Sequence, residues 1–244
     1  MKGASINLET GSVLLLNKPL NWTSFDVVNK LRYHLKQHLH QYKTLVAGEK
    51  RNVKVGHAGT LDPLATGLLI VCIGKQTKNI DQYMATEKEY TGSFCVGATR
   101  PSYDMETAVD NTFPTEHITA QLIHDTAQTF IGEQMQLPPA HSAIKQDGKR
   151  LYESARAGVE VELTPRAVNI LEFEITQIAL PEIHFRVVCS KGTYIRSLAH
   201  DFGKALNSGA YLSSLCRTRS GAFKLTDALT VEEALQMIKG ENVI

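Results

Sequence analysis

Long hydrophobic runs are missing from this sequence. The longest apolar stretch, Leu68 to Ile73, has the length of a strand, whereas a helix that crosses a membrane needs about 20 predominantly apolar residues. The first residues, MKGASINLETG, contain no apolar core of signal length and carry Glu9, so neither membrane insertion nor export is expected. Without export, the glycosylation-type triplet Asn21-Trp22-Thr23 is read as chance. Cysteine is scarce. Cys72, Cys95, Cys189 and Cys216 lie far apart with no C-x-x-C pair, a pattern that suits small apolar side chains in a reducing cytoplasm better than disulfides or a metal site. The nine histidines include no H-E-x-x-H, and His34, His38 and His40 fall on the polar end of a helix. Gly67 and Gly74-Lys75 are spaced wrongly for a phosphate loop, and Gln76 follows where Ser or Thr is required. No G-x-S-x-G elbow is present. Metal, phosphate-loop and serine-elbow chemistry are therefore all without a signature.

The chain has 244 residues, 43% hydrophobic and 21% charged, enough for one large domain or two small ones around a sizeable core. The net charge of +1 is not that of a general polyanion binder, but the charges are segregated. Val28 to His57 carries seven Lys or Arg against Glu49 alone, and Lys191 to Lys224 carries six against Asp201 alone. Asp81 to Glu116 carries seven Asp or Glu against Lys88 and Arg100. Two readings stand side by side: the basic segments form a face that attracts phosphates, or they are solvated helix faces.

Gly11 to Lys18 reads as a strand ended by Pro19. Ser24 is expected to cap a helix whose Phe25, Val28, Leu31 and Leu35 repeat at helical spacing. Lys36 to Lys54 is polar, basic and without period, and reads as a loop. Val55 to Gly67 reads as a structured loop, and Gly67 to Gly74 as a buried strand. Further strands are expected at Glu87–Gly97, with Tyr90, Phe94 and Val96 on one face, and in a pair, Leu171–Leu180 and Glu182–Ser190, around Pro181. Helices are expected at Thr115–Phe130, Lys149–Ala157 and Thr193–Leu206. A last one is capped by Thr230 and Glu233 and runs to about Lys239. Strands mixed with non-alternating helices indicate an α+β fold with a mostly antiparallel sheet.

The densest group of unusual residues is Gly56-His57-Ala58-Gly59-Thr60-Leu61-Asp62-Pro63-Leu64-Ala65-Thr66-Gly67. Glycines permit tight turns and close approach of a ligand, and Pro63 stiffens the backbone beyond Asp62. A single carboxylate is thus presented from a rigid loop. On these residues alone Asp62 is either a turn cap or a reacting group.

The segment His57 to Gly67 resembles the catalytic loop of the TruB family of pseudouridine synthases. Other segments match in the family's order. Leu16-Asn17-Lys18-Pro19 with Thr23-Ser24 resembles its first motif, and Lys88-Glu89-Tyr90 its active-site tyrosine. Leu137-Pro138-Pro139-Ala140-His141-Ser142-Ala143-Ile144-Lys145 and Gly148-Lys149-Arg150-Leu151-Tyr152-Glu153 with Ala155-Arg156 resemble its RNA-clamping insertion. Ser190 to Arg196 resembles the motif with a second tyrosine and an arginine, and Gly209-Ala210 through Leu215-Cys216-Arg217-Arg219 the last motif. Three departures stand out. Lys36–Lys54 is longer than usual, the chain ends soon after the last motif, and His141 replaces a common aromatic residue.

The resemblance implies an α+β pseudouridine-synthase-like catalytic domain with a mixed, mostly antiparallel sheet flanked by helices. It implies a single domain over residues 1–244, an RNA-binding insertion at about 132–161, and a C-terminal RNA-binding extension that is absent or reduced to about 225–244. The activity implied is isomerisation of uridine to pseudouridine at position 55, in the T arm of tRNA, by a cytoplasmic monomer with no cofactor or metal and no membrane partner. The target base is flipped out of the stack. Asp62 acts as nucleophile at C1′ or as base at C2′, both routes remaining open. Arg196 pairs with Asp62, in competition with a phosphate contact or an ion pair with Asp201. Tyr90 stacks on the uracil, Tyr194 and Leu215 close the pocket, and His57 borders the space left by the flipped nucleotide. Lys18 bonds near the loop or meets phosphate, and Lys145, Lys149, Arg150 and Arg156 grip the RNA backbone. Competing readings are a synthase for another RNA, a binding module with a relic loop, and a glycosidic hydrolase, which would need a second positioned acid.

Overall fold

The computed structural model describes residues 6–42, 53–140, 145–146, 149–150 and 163–240. In chain order the elements are β1 (Ser12–Lys18), α1 (Ser24–Tyr42), β2 (Val55–His57), β3 (Ala65–Ile73), α2 (Ile80–Met84), β4 (Lys88–Val96), β5 (Ala98–Thr99), β6 (Asn111–Thr112) and α3 (Ala120–Thr129). There follow β7 (Gly132–Gln136), β8 (Lys145–Gln146), β9 (Lys149–Arg150), β10 (Arg166–Ala179), β11 (Glu182–Cys189), α4 (Ile195–Ala205), β12 (Ala210–Ser220), β13 (Phe223–Lys224), β14 (Leu229–Thr230) and α5 (Val231–Lys239). The fold is α+β with a mixed, mostly antiparallel sheet. Two compact units divide it, Met1–Lys88 with Cys216–Ile244, and Glu89–Leu215.

In the first unit the strand order is β14-β1-β3-β12, with β2 on β3 and β13 on β12. β1–β14 is a parallel pair; β1–β3, β2–β3 and β12–β13 run antiparallel. β3 explains why its sequence is apolar without alternation: it is buried on both faces. Leu69, Val71 and Ile73 join a core built with Val27, Val28, Leu31 and Leu35 of α1 and Val231, Ala234 and Ile238 of α5. Leu68, Ile70 and Cys72 point the other way, with Leu15 and Ala58. Each such fully buried aliphatic side chain contributes about 1.5–3 kcal/mol.

The second unit orders its strands β12-β4-β11-β10-β7, with β10–β11 and β10–β7 antiparallel. Its core is aromatic. Phe94 stacks on Phe185 with centroids 4.2 Å apart, and Phe173 and Phe202 approach each other at 5.6 Å. Ile183, Phe185, Val187 and Cys189 of β11 are buried as their alternation implies.

Several expected boundaries shift, each for a physical reason. Helix α1 continues to Tyr42 where a loop was expected from Lys36, because Leu39 extends the Leu31–Leu35 stripe onto the same core. Residues 43–52 of that expected loop lie outside the described residues. The supposed loop from Val55 opens with a strand, since Val55, Gly56 and His57 pair with Ile73, Cys72 and Val71. α3 begins at Ala120, not Thr115, because the Thr119 side chain accepts the Leu122 N–H as its cap. Lys149–Arg150 is a strand paired with Lys145–Gln146 rather than the start of a basic helix. The dipeptide Asp147-Gly148 between them is a hairpin signal in the sequence. The rest of that expected helix, including Arg156, lies outside the described residues, as does His141.

Candidate functional site

Asp62 is half-buried on the loop between β2 and β3. Main-chain bonds set the loop's frame: Ala58 N–H donates to the Ile70 carbonyl at 2.8 Å, Ala65 N–H to the Asp62 carbonyl at 3.0 Å, and Asn21 N–H to the Pro63 carbonyl at 2.8 Å. The Ala65 bond closes a turn over Pro63, so the backbone of Asp62 makes the turn that its sequence suggested. Three buried side chains then hold the loop.

The first is Ser24. Its place ahead of Phe25 makes it a candidate helix cap, but Thr23 caps α1: Asp26 N–H donates to Thr23 Oγ1 at 3.0 Å, and Thr23 N–H to Asp26 Oδ2 at 2.8 Å. Ser24 is thereby left for the loop. Its Oγ accepts the Leu61 N–H at 2.8 Å and donates to the Leu61 carbonyl at 3.1 Å.

The second is Lys18, fully buried at the end of β1 opposite Gly67. Its Nζ donates to the carbonyls of Pro19 (2.9 Å), Trp22 (2.6 Å) and Pro63 (3.4 Å). These bonds tie the end of β1 to the main chain beside Asp62. Burial lowers its pKa to about 8, partly opposed by the carboxylates of Asp62 and Asp26.

The third is Arg217, counted in the sequence among the cations of a basic segment. It is in fact fully buried. Its Nε donates to the Leu68 carbonyl at 2.7 Å, Nη2 to Gly59 at 3.2 Å and Nη1 to Thr60 at 3.5 Å. A guanidinium suits this task because it stays charged when desolvated and presents several donors in one plane. Gly67 makes room for it: with φ of +101°, a Cβ there would stand 2.4 Å from the Arg217 carbonyl oxygen. Its glycine is therefore a packing requirement as well as a conformational one. Burial, and then the Arg217 charge, push the pKa of His57 below its ordinary value, so His57 is neutral at neutral pH. Its Nδ1 is buried and has no hydrogen-bond partner among the described residues.

The other expected site residues lie in the second unit. Tyr90 is buried on β4, on the same strand as the core residues Phe94 and Val96. Tyr194 precedes α4 as its N-cap and Leu215 is half-buried on β12. Arg196, in the first turn of α4, is buried. Its Nε lies 3.7 Å from Asp104 Oδ2 and its Nη1 donates to the Ser102 carbonyl at 3.3 Å. Removing one member of such a buried pair typically costs about 3–5 kcal/mol, because the other charge is left uncompensated. Asp104, which faces Arg196, is a residue that the sequence did not single out. It was counted only as one charge of an acidic stretch. Ser102, Asp104 and Thr107 knit their loop together: Ser102 Oγ donates to the Asp104 carbonyl at 3.1 Å, and Asp104 Oδ1 accepts the Glu106 N–H at 2.9 Å. Lys145, Lys149 and Arg150 lie on the β8–β9 hairpin.

One carboxylate presented from a pinned loop, on an α+β scaffold of this strand order, defines a catalytic domain of the pseudouridylate-synthase kind. The solved structures it resembles have the same fold. A crystal structure of a Cbf5–Nop10–Gar1 complex aligns with TM-score 0.67 and 28% identity over 94% of this chain and 54% of that one. An archaeal box H/ACA sRNP Nop10–Cbf5 complex aligns with TM-score 0.64 and 26% identity over 94% and 54%. This chain thus spans about half the length of those proteins.

The chain belongs to the TruB family: residues 45–195 match the model of the TruB family pseudouridylate synthase N-terminal domain. It is 58% identical to the tRNA pseudouridine synthase B of Flavobacterium johnsoniae over 93% of this chain and 96% of that protein. It is 51% identical to the protein of the same name from Bacteroides fragilis over 98% of each. Among the described residues no helix is long and apolar enough to cross a membrane.

Proposed function

We propose that this chain isomerises uridine to pseudouridine in tRNA, at position 55 of the T arm, as a cytoplasmic monomer that needs no cofactor. The observation that carries this reading is the Asp62 loop, pinned by Ser24, Lys18 and Arg217 in a member of the TruB family. The whole chain acts as one catalytic domain, with the insertion at about 132–161 as its RNA clamp.

The target uridine leaves the stack, at an unstacking cost of a few kcal/mol. The N1–C1′ bond breaks, the uracil turns, and C5 bonds to C1′. The C5 proton is lost and N1 ends protonated, so the reaction is redox-neutral and balanced without another reactant. Asp62 supplies the ionised carboxylate, as nucleophile at C1′ or as base at C2′. Arg196 holds that carboxylate ionised and oriented. Tyr90 stacks on the uracil and Tyr194 and Leu215 wall it in. His57, neutral and partly buried, borders the space the nucleotide leaves. Lys145, Lys149, Arg150 and Arg156 hold phosphates, while shape and unpaired bases select the stem-loop. Lys18 serves from beneath, by fixing Pro63.

The test is direct. Unmodified T-arm RNA is incubated with the protein and pseudouridine is mapped by chemical labelling. Wild type is expected to modify the one position, and Asp62→Asn to bind the RNA without turnover. An inactive wild type would falsify the assignment of activity, and an active Asp62→Asn that of the carboxylate.

A further inference from the structure

Gln136 has no part in the roles above, yet its side chain is buried where it meets the site. It ends β7 and is 3% exposed. Its Oε1 accepts the Tyr194 N–H at 2.8 Å, and its Nε2 donates to the Tyr194 carbonyl at 3.1 Å. A carboxamide offers an acceptor and a donor side by side, so it engages both main-chain groups of one residue as a neighbouring strand does. One residue further on, the Leu137 carbonyl accepts from Ser197 Oγ at 2.6 Å, and Ser197 is itself buried. Residues 136–137 are thus clasped to residues 194–197 by three hydrogen bonds.

The clasp sits at a decisive place. Tyr194 has extended backbone, with φ of −97° and ψ of 111°, and its side chain makes no capping bond to α4. The direction in which the chain enters the helix is therefore set from outside it. Arg196 follows two residues later, buried against Asp104. On the other side of the clasp, Leu137-Pro138-Pro139 leads on from β7 into the body of the insertion.

We propose that Gln136 is a positioning residue: it locks the root of the RNA-clamping insertion to the backbone that presents Tyr194 and Arg196. This rests on the roles proposed above for those two residues and for the insertion. Gln136 touches neither RNA nor uracil in this scheme, so it governs the rate of reaction and not the affinity for RNA. Gln136→Met keeps the length and removes both bonds. Gln136→Glu keeps one acceptor but faces the Tyr194 carbonyl with a second oxygen.

Two readouts test it. The first is amide hydrogen exchange of the purified full chain, which needs no activity. In Gln136→Met the amides of residues 194–198 are expected to exchange about tenfold faster or more, with those of α3 unchanged. The second is single-turnover kinetics on T-arm RNA beside direct binding. Both variants are expected to lose about tenfold or more in rate while Kd stays within about threefold. Should Gln136→Met not fold, Ser197→Ala removes only the neighbouring bond and is expected to act in the same sense, less strongly. Unchanged exchange at residues 194–198 overturns the proposal. So does a rate within about twofold of wild type, or a loss of affinity equal to the loss of rate. An inactive wild type overturns the proposed function instead, and the exchange measurement still decides the clasp.

Discussion

The hydroxyl of Ser24 holds both main-chain groups of Leu61, the residue before Asp62, with bonds of 2.8 and 3.1 Å. Held in this way, Leu61 helps to fix the direction in which that carboxylate leaves the backbone. In Ser24→Ala both groups of Leu61 lose a buried partner, at a cost of about 1–3 kcal/mol each where water cannot replace it. The expected outcome is a lower urea midpoint and, because a displacement of about 1 Å at a reacting centre can cost a hundredfold, a larger fall in turnover than in stability. Chemical denaturation beside a pseudouridine assay measures both. Full activity in a destabilised variant would show that the loop keeps its shape without Ser24.

Lys18 makes stability depend on pH in a direction opposite to that of an ordinary surface lysine pair. Its ammonium titrates near 10.5 in the unfolded chain and at about 8 when folded, because burial disfavours the charge. Below about pH 8 both states hold the proton and the burial cost is present in full. Between about 8 and 10.5 the unfolded chain holds a proton that the folded one has released, so this contribution to stability rises with pH. The difference in stability between wild type and Lys18→Met should therefore grow in favour of wild type across that window. A constant difference refutes the shift. In Asp62→Asn the Lys18 midpoint is expected to fall further, since the Asp62 carboxylate is the larger of the two that raise it.

Arg217 ties Gly59, Thr60 and Leu68 together from the interior. Arg217→Met should lower stability by about 2–4 kcal/mol, in line with hydrogen bonds made by a charged donor to buried carbonyls. Arg217→Lys is expected to restore little, because a single ammonium does not reach three carbonyls spread around a planar fork. Thermal melting of the three proteins decides this. A lysine variant as stable as wild type would mean that charge alone matters here.

What was legible in the sequence follows from what local chemistry determines. The apolar run Leu68–Ile73 announced a doubly buried strand, and Thr230 with Glu233 announced a capping box, because each signal lies within a few residues. The Asp62 loop was legible because its glycines and proline constrain the backbone directly. The failures concern partners distant in the chain. Arg217 looked like a surface cation until its carbonyl acceptors, about 150 residues away, surrounded it. Asp104 gave no local sign of facing Arg196, nor did Gln136 of facing Tyr194. Ser24 was misread for a subtler reason: Thr23 and Ser24 are both good caps, and only the position of Leu61 decides which of them is used for the helix.

Three of the cations counted in the sequence, Lys18, Lys88 and Arg217, have their charge turned inward onto main-chain carbonyls. Dissolved ions barely screen such contacts, whereas they weaken every contact between a surface lysine and a phosphate. The number of phosphates this protein can neutralise is accordingly smaller than its total of Lys and Arg suggests. Raising the ionic strength should loosen an RNA from the surface while the architecture around Asp62 stays as it is, so grip and shape, which most mutations disturb together, come apart in a salt titration.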